Sequence, residues 1–232
     1  MTRIGLAVAS VGLAAALTGC GGGDDFADES AEDIVQASKD AMSELNAVKV
    51  TGAIDNDGQE VEIDIQTNSD GKCVGSISVD GGTAEILGVD GTTWFRPDQA
   101  FWEATAGEAA EQVMTLVGEK WVVVPAGEDG FSEFCDLDEL LDQLLEDSDD
   151  EDKATFTKGD TQDVDGDETI AVEREDAEDG VSTGYVLVSD PHYIVMIEKT
   201  EGEDTGTVAF SEFDEEFEAE APATEDVARL GG

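Results

Sequence analysis

Basic side chains are what this sequence lacks most: 11 Lys and Arg stand against 58 Asp and Glu in 232 residues, a formal charge of −47. A surface of that sign repels phosphate backbones and anionic bilayer surfaces, so nucleic acid is excluded as a partner. Solubility or a saline habitat accounts for the acidity more simply than a dedicated cation site does. Histidine occurs once, as His192 in Asp190-Pro191-His192-Tyr193, a turn-to-strand junction that suits a surface polar residue better than a general base. There is no phosphate-cradling glycine loop and no His-Glu-x-x-His, and carboxylates are too abundant for a catalytic pair to stand out. The chain therefore reads as a non-enzyme without a cofactor. No apolar run reaches the roughly 20 residues of a membrane-spanning helix.

What is present begins at the N-terminus. Arg3 precedes an uncharged, mainly apolar run from Ile4 to Leu17, which closes in Leu17-Thr18-Gly19-Cys20 and is followed by Gly21-Gly22-Gly23. A positive start followed by a short apolar stretch is the order of a secretory leader. The closing four residues resemble the lipobox of bacterial lipoproteins, in which the Cys is acylated and the bond before it is cut. The resemblance implies a mature chain starting at Cys20, held at the extracytoplasmic face of the cell membrane. Two or three acyl chains, at about 0.8 kcal/mol per buried CH₂, hold a protein far better than one.

Acylation of Cys20 leaves two cysteines, Cys73 and Cys135. In an oxidising compartment an isolated pair forms a disulfide, whereas a metal site would need short-spaced partners that are missing here. The loop it closes is long enough for the chain-entropy model to give about 4 kcal/mol.

The mature chain fits one domain. Ser30 and Asp33 make a capping-box pattern, and Ile34, Val35, Ala41, Met42 and Leu45 at helical spacing predict a helix over 31–47. The period then changes to two. Val48, Val50, Gly52 and Ile54, then Val61, Ile63 and Ile65, alternate with polar residues across Asn56-Asp57-Gly58. Asp-Gly turns at 70, 80 and 90 continue the pattern, placing strands at 72–80, 83–89 and 92–96 in an antiparallel meander. Pro97 ends it. A short helical piece carries Phe101 and Trp102, a second helix carries Val113, Leu116 and Val117 and stops at Gly118, and a short strand follows at 120–124. After a Gly-rich loop, Leu137, Leu140, Leu141, Leu144 and Leu145 form a single stripe on a helix. Beyond the acidic run 147–152, strands are predicted at 154–158, 168–174, 182–189, 193–199 and 205–213. Two of these, around Tyr185 and Tyr193, are apolar on both faces and are expected to lie centrally with both faces covered.

Asp163-Val164-Asp165-Gly166-Asp167-Glu168 looks like a calcium loop only superficially. Gly falls fourth instead of sixth and Arg174 occupies the twelfth position, so a hairpin turn is the better reading. In a chain only 6% aromatic, Trp94, Phe95, Phe101 and Trp102 fall within nine positions, either as core packing at the sheet edge or as a ligand-facing wall.

The order of lipobox, tether, amphipathic helix, antiparallel meander, inserted helices and further antiparallel strands resembles the LppX_LprAFG lipoproteins of mycobacteria and, more distantly, LolA-type periplasmic carriers. The resemblance implies an α+β fold, a curved antiparallel half-barrel with helices covering its concave face. It also implies binding of lipid or acyl chains in the enclosed space. The corresponding division is a leader at 1–19, an acylated Cys and flexible acidic tether at 20–29, one domain at 30–214 and a disordered acidic tail at 215–232. The wall expected to face the ligand is Trp94, Phe95, Phe101, Trp102, Val113, Leu116 and Val117, with Leu140 and Leu144 opposite. The alternative is a surface-tethered acidic interaction module with a filled core, docking a basic envelope protein or gathering cations.

Overall fold

Alternating apolar and polar residues, punctuated by Asp-Gly pairs, fold into one antiparallel sheet of 11 strands. The computed structural model describes residues 26–56, 58–124, 132–145, 154–177, 180–202 and 204–228. The leader, Cys20, the Gly-rich loop and the acidic run 147–152 lie outside the described residues.

The strands are β1 (Ala47–Asn56), β2 (Gln59–Asn68), β3 (Cys73–Val79), β4 (Gly82–Val89), β5 (Thr92–Pro97), β6 (Val122–Val124), β7 (Thr155–Val164), β8 (Asp167–Asp176), β9 (Gly180–Leu187), β10 (Ile194–Glu201) and β11 (Thr205–Ser211). Their order is β6-β5-β4-β3-β2-β1-β11-β10-β9-β8-β7, so two meanders join where β1 pairs with β11 and the sheet does not close into a barrel. The turns at Asp80-Gly81, Asp90-Gly91 and Asp165-Gly166 all take positive φ at both residues. That is the mirror-image turn matching the twist of a two-residue hairpin, and it settles 163–168 as a turn.

The helices are α1 (Ala31–Ser43), α2 (Gln99–Ala106), α3 (Ala110–Val117) and α4 (Leu137–Leu145). Ser30 caps α1, its Oγ accepting from Asp33 N at 3.2 Å, as the capping pattern implied. Asp98 caps α2 by accepting from Phe101 N at 2.7 Å. The α1 helix stops at Ser43, short of the predicted 47, because Ala47 already pairs with Asn68 as the first residue of β1. β7 runs past the predicted 158 to Val164 through a register shift between Lys158 and Thr161.

Alternation sends one side chain of each pair to the inner face. There, Ile34 and Met42 of α1 and Leu137, Leu140 and Leu141 of α4 share a core with Val50, Ile170, Val172, Val186, Val208 and Phe210. A second cluster unites Ile63, Ile65, Ile77, Ile86 and Phe101 under α2, where the sheet makes room by having Gly82. A β-carbon on Gly82 would fall 2.1 Å from Phe101 N. The Cys73–Cys135 disulfide is present, with Cα atoms 4.9 Å apart, and fastens the segment entering α4 to the inner face of β3. The strands β9 and β10 are internal but only half covered. Val186, Val188 and Ile194 are buried, whereas Tyr185 and Met196 on the opposite face remain half-exposed.

Both expected chain boundaries shift. Phe26 is buried and its ring stacks on His192 with centroids 3.6 Å apart, and Lys158 Nζ donates to the carbonyls of Ala27 and Glu29. Residues 26–29, assigned to a flexible tether, thus belong to the fold, because Phe26 has an apolar seat and Lys158 satisfies the turn's carbonyls. The expected disordered tail is also tied down. Trp121 N donates to Asp226 O at 2.9 Å, Ala228 N donates to Trp121 O at 2.8 Å, and Val227 forms a parallel bridge with Trp121 just before β6. An open sheet edge supplies unpaired backbone groups, and the tail satisfies those of Trp121 despite its charge.

Candidate functional site

The apolar inner rows of β8–β11 are not filled completely. A cavity of about 410 Å³ lies between them and the facing sides of α1 and α4, within the roughly 300–1,000 Å³ usual for ligand sites. Its helical side is Val35 and Lys39 of α1 with Leu144 and Leu145 of α4, and Phe156 of β7 adds a flank. Its floor is a set of register rows. Val172, Gly184, Ile197 and Val208 are successive partners across β8, β9, β10 and β11, and Val186 lies opposite Ile194 one row further in.

Gly184 opens this floor. A β-carbon there would meet only Val172 O, at 3.9 Å, so a side chain would project into space that the glycine leaves empty. Neighbouring Gly206 has a different reason: a β-carbon would fall 2.2 Å from Ala53 O, at the pairing of β1 with β11.

One row further out, Arg174 is opposite Ser182, and Ser182 is opposite Lys199. Ser182 sits in Gly180-Val181-Ser182-Thr183-Gly184, which has the spacing of a nucleophile elbow. An elbow requires a sharp strand-to-helix turn, whereas these five residues run inside β9, with 181–184 paired on both sides. The one histidine is engaged elsewhere. His192 stacks on Phe26, its Nδ1 lies 3.1 Å from Leu187 O and its Nε2 3.2 Å from Asp190 Oδ1. It is half-buried packing rather than a surface polar residue. Burial raises the phenol pKa values of Tyr185 and Tyr193, and neither ring lines the cavity.

Of the nine residues expected to face a ligand, only Leu144 lines this cavity. Trp94 and Phe95 are successive strand residues and point to opposite faces. Phe95 and Phe101 pack in the cluster under α2, Phe95 meeting Trp102 edge-on with centroids 5.7 Å apart. The indole Nε1 of Trp102 is buried, with no hydrogen-bond partner among the described residues. Val113, Leu116 and Val117 sit on α3, which packs on α2; Val117 is buried and Leu116 is 67% exposed. Leu140 is buried in the core beneath α4. Phe95, Phe101 and Trp102 therefore pack together around α2, Trp94 lies on the other face, and the cavity lies over β8–β11 and the adjoining parts of β1 and β2, lined there by Ile54, Asn56 and Val61. The missed lining left one trace in the sequence: Arg174 two residues after Val172, and Lys199 two after Ile197, put cations in the apolar register of their strands.

No family model matches this sequence, and no curated protein does. Solved structures do match. LprF from Mycobacterium bovis superposes with a TM-score of 0.57 at 16% identity, over 83% of this chain and 97% of that one. The lipoprotein LppX of Mycobacterium tuberculosis gives 0.52 at 11% identity, over 82% and 98%. The resemblance drawn from element order thus holds at the level of fold. Among the described residues, no helix is long and apolar enough to cross a membrane.

Proposed function

We propose that this chain is an extracytoplasmic lipoprotein, anchored through acylated Cys20, that binds or carries an apolar acyl-chain ligand in the cavity between α1, α4 and β8–β11. The observation that carries the reading is the cavity itself. Apolar side chains line most of a space left open beneath two helices in a protein whose surface is overwhelmingly acidic. An apolar void stays dry, so filling it with a hydrocarbon chain returns on the order of 25 cal/mol per Å² of apolar surface removed from water. The shared fold with LppX, a lipoprotein by name, supports the same reading, as does Leu17-Thr18-Gly19-Cys20. A filled core, which the interaction-module alternative requires, fits the α2 wing but not this one.

Two measurements test it. Native mass spectrometry with lipid extraction of the leaderless mature chain carrying Cys20→Ser is expected to find a bound lipid, and Gly184→Leu to lower its occupancy severalfold. A lipid-free wild type contradicts the carrier reading. In cells, Cys20→Ser is expected to release the protein from membranes and to abolish labelling by a clickable fatty acid; unchanged labelling contradicts the anchor.

A further inference from the structure

The folded part of the chain is held close to the residue proposed to carry the anchor. Phe26 is buried against His192, in the turn between β9 and β10, and Lys158 Nζ fixes the carbonyls of Ala27 and Glu29 that follow it. Six residue steps separate Phe26 from Cys20. Fully extended, six steps reach at most about 22 Å. In the acylated chain the bilayer surface therefore lies within about that distance of the Phe26 end, whatever the conformation in between.

The cavity opens at the opposite end of the strands. β10 runs from Ile194, beside the His192 turn, to Glu201, a rise of roughly 23 Å. At its start Val186 and Ile194 are paired and buried, which closes the cavity on the Phe26 side. At its far end the lining residues Asn56, Gln143 and Asp204 are exposed. Asn56 ends β1, Asp204 immediately precedes β11 and Gln143 lies in the last turn of α4, so three elements start or finish at one rim.

That rim is acidic. Asp55 is paired with Glu60 across β1 and β2, Glu175 follows Arg174, and Glu201 and Asp204 flank the turn from β10 to β11; all five are exposed. An anionic bilayer repels such a rim once it approaches within about 10 Å at about 0.1 M salt. A short leash at one end and repulsion at the other turn the open end away from the surface.

We propose that the domain stands on its own bilayer through the Phe26–His192 end, with the cavity opening directed away from that bilayer. This rests on the anchor and acyl-chain readings above and adds to them the side from which the site is reached.

The full-length acylated protein is reconstituted in vesicles of phosphatidylcholine and phosphatidylglycerol that carry a rhodamine-labelled lipid as energy acceptor. A donor dye is attached through p-azidophenylalanine, placed either instead of Ser189 at the turn before His192 or instead of Glu201 at the rim, both exposed positions. Energy transfer to the bilayer is expected to be severalfold stronger from position 189 than from position 201. Inserting about 20 Gly and Ser residues after Gly23 lengthens the leash and is expected to lower transfer from position 189 to near the value at position 201. Equal transfer from the two positions with the native tether, stronger transfer from position 201, or no response to the insertion overturns the orientation and leaves the anchor and acyl-chain readings standing. Failure of the wild-type chain to float with the vesicles overturns the anchor reading and the orientation with it.

Discussion

Gly88 stands where the Cys73–Cys135 bridge passes closest to the sheet: a β-carbon there would fall 2.7 Å from Cys135 Sγ and 3.0 Å from Cys73 Sγ. The bridge and the glycine are therefore one device, a strand thinned by one side chain so that the entry to α4 can lie against it. Cys135→Ala is expected to cost about 2–5 kcal/mol in denaturant unfolding, the usual range for a native disulfide. Gly88→Ala is expected to destabilise the bridged protein and to cost clearly less in the Cys135→Ala background, since neighbouring sites couple. Equal costs in the two backgrounds contradict the steric account. The bridge was legible in the sequence because cysteine arithmetic needs only a compartment and a count. The ligand wall was not. Aromatic density marked the packing around α2, and alternation alone already barred Trp94 and Phe95 from one wall. Gly184 left no signal, because an absent side chain matters only once the facing helix is known.

At the scale of elements, strands and turns were the most readable, since period-two alternation and Asp-Gly pairs are local physics. Ends were less so. The switch from α1 to β1 is decided by pairing with Asn68, and the bulge that lengthens β7 by its match to β8. Least readable was the tail, whose composition argued for disorder while its backbone bridges to Trp121 beside β6. Beyond the contact at Trp121, Lys120 Nζ donates to Glu225 O at 2.8 Å, and the Arg96 guanidinium lies 4.6 Å from the Trp121 ring centroid. Truncation before residue 216 is expected to leave the fold intact but to speed amide exchange at Trp121 by at least tenfold. An unchanged rate would mean that the tail does not protect this edge in solution.

Across the whole molecule, the pairing of β1 with β11 decides where the cavity forms. It joins residues about 150 positions apart and sets two meanders side by side. α2 fills one wing, with the ring of Phe101 seated beneath it, whereas α1 and α4 only bridge the other. No local pattern encodes which wing is left open, so the fold was readable from element order while the site within it was not. The central claim is that an acyl chain occupies the α1–α4 wing. It is tested most directly by photo-crosslinking a fatty acid bearing a diazirine near its methyl end, followed by peptide mapping. Labelling is expected on β9 and β10 around Val186 and Ile194 and on α4 at Leu144 and Leu145, and it should fall in Gly184→Leu. Labelling confined to α3 around Leu116 or to β5 around Trp94, and unaffected by Gly184→Leu, would contradict the account.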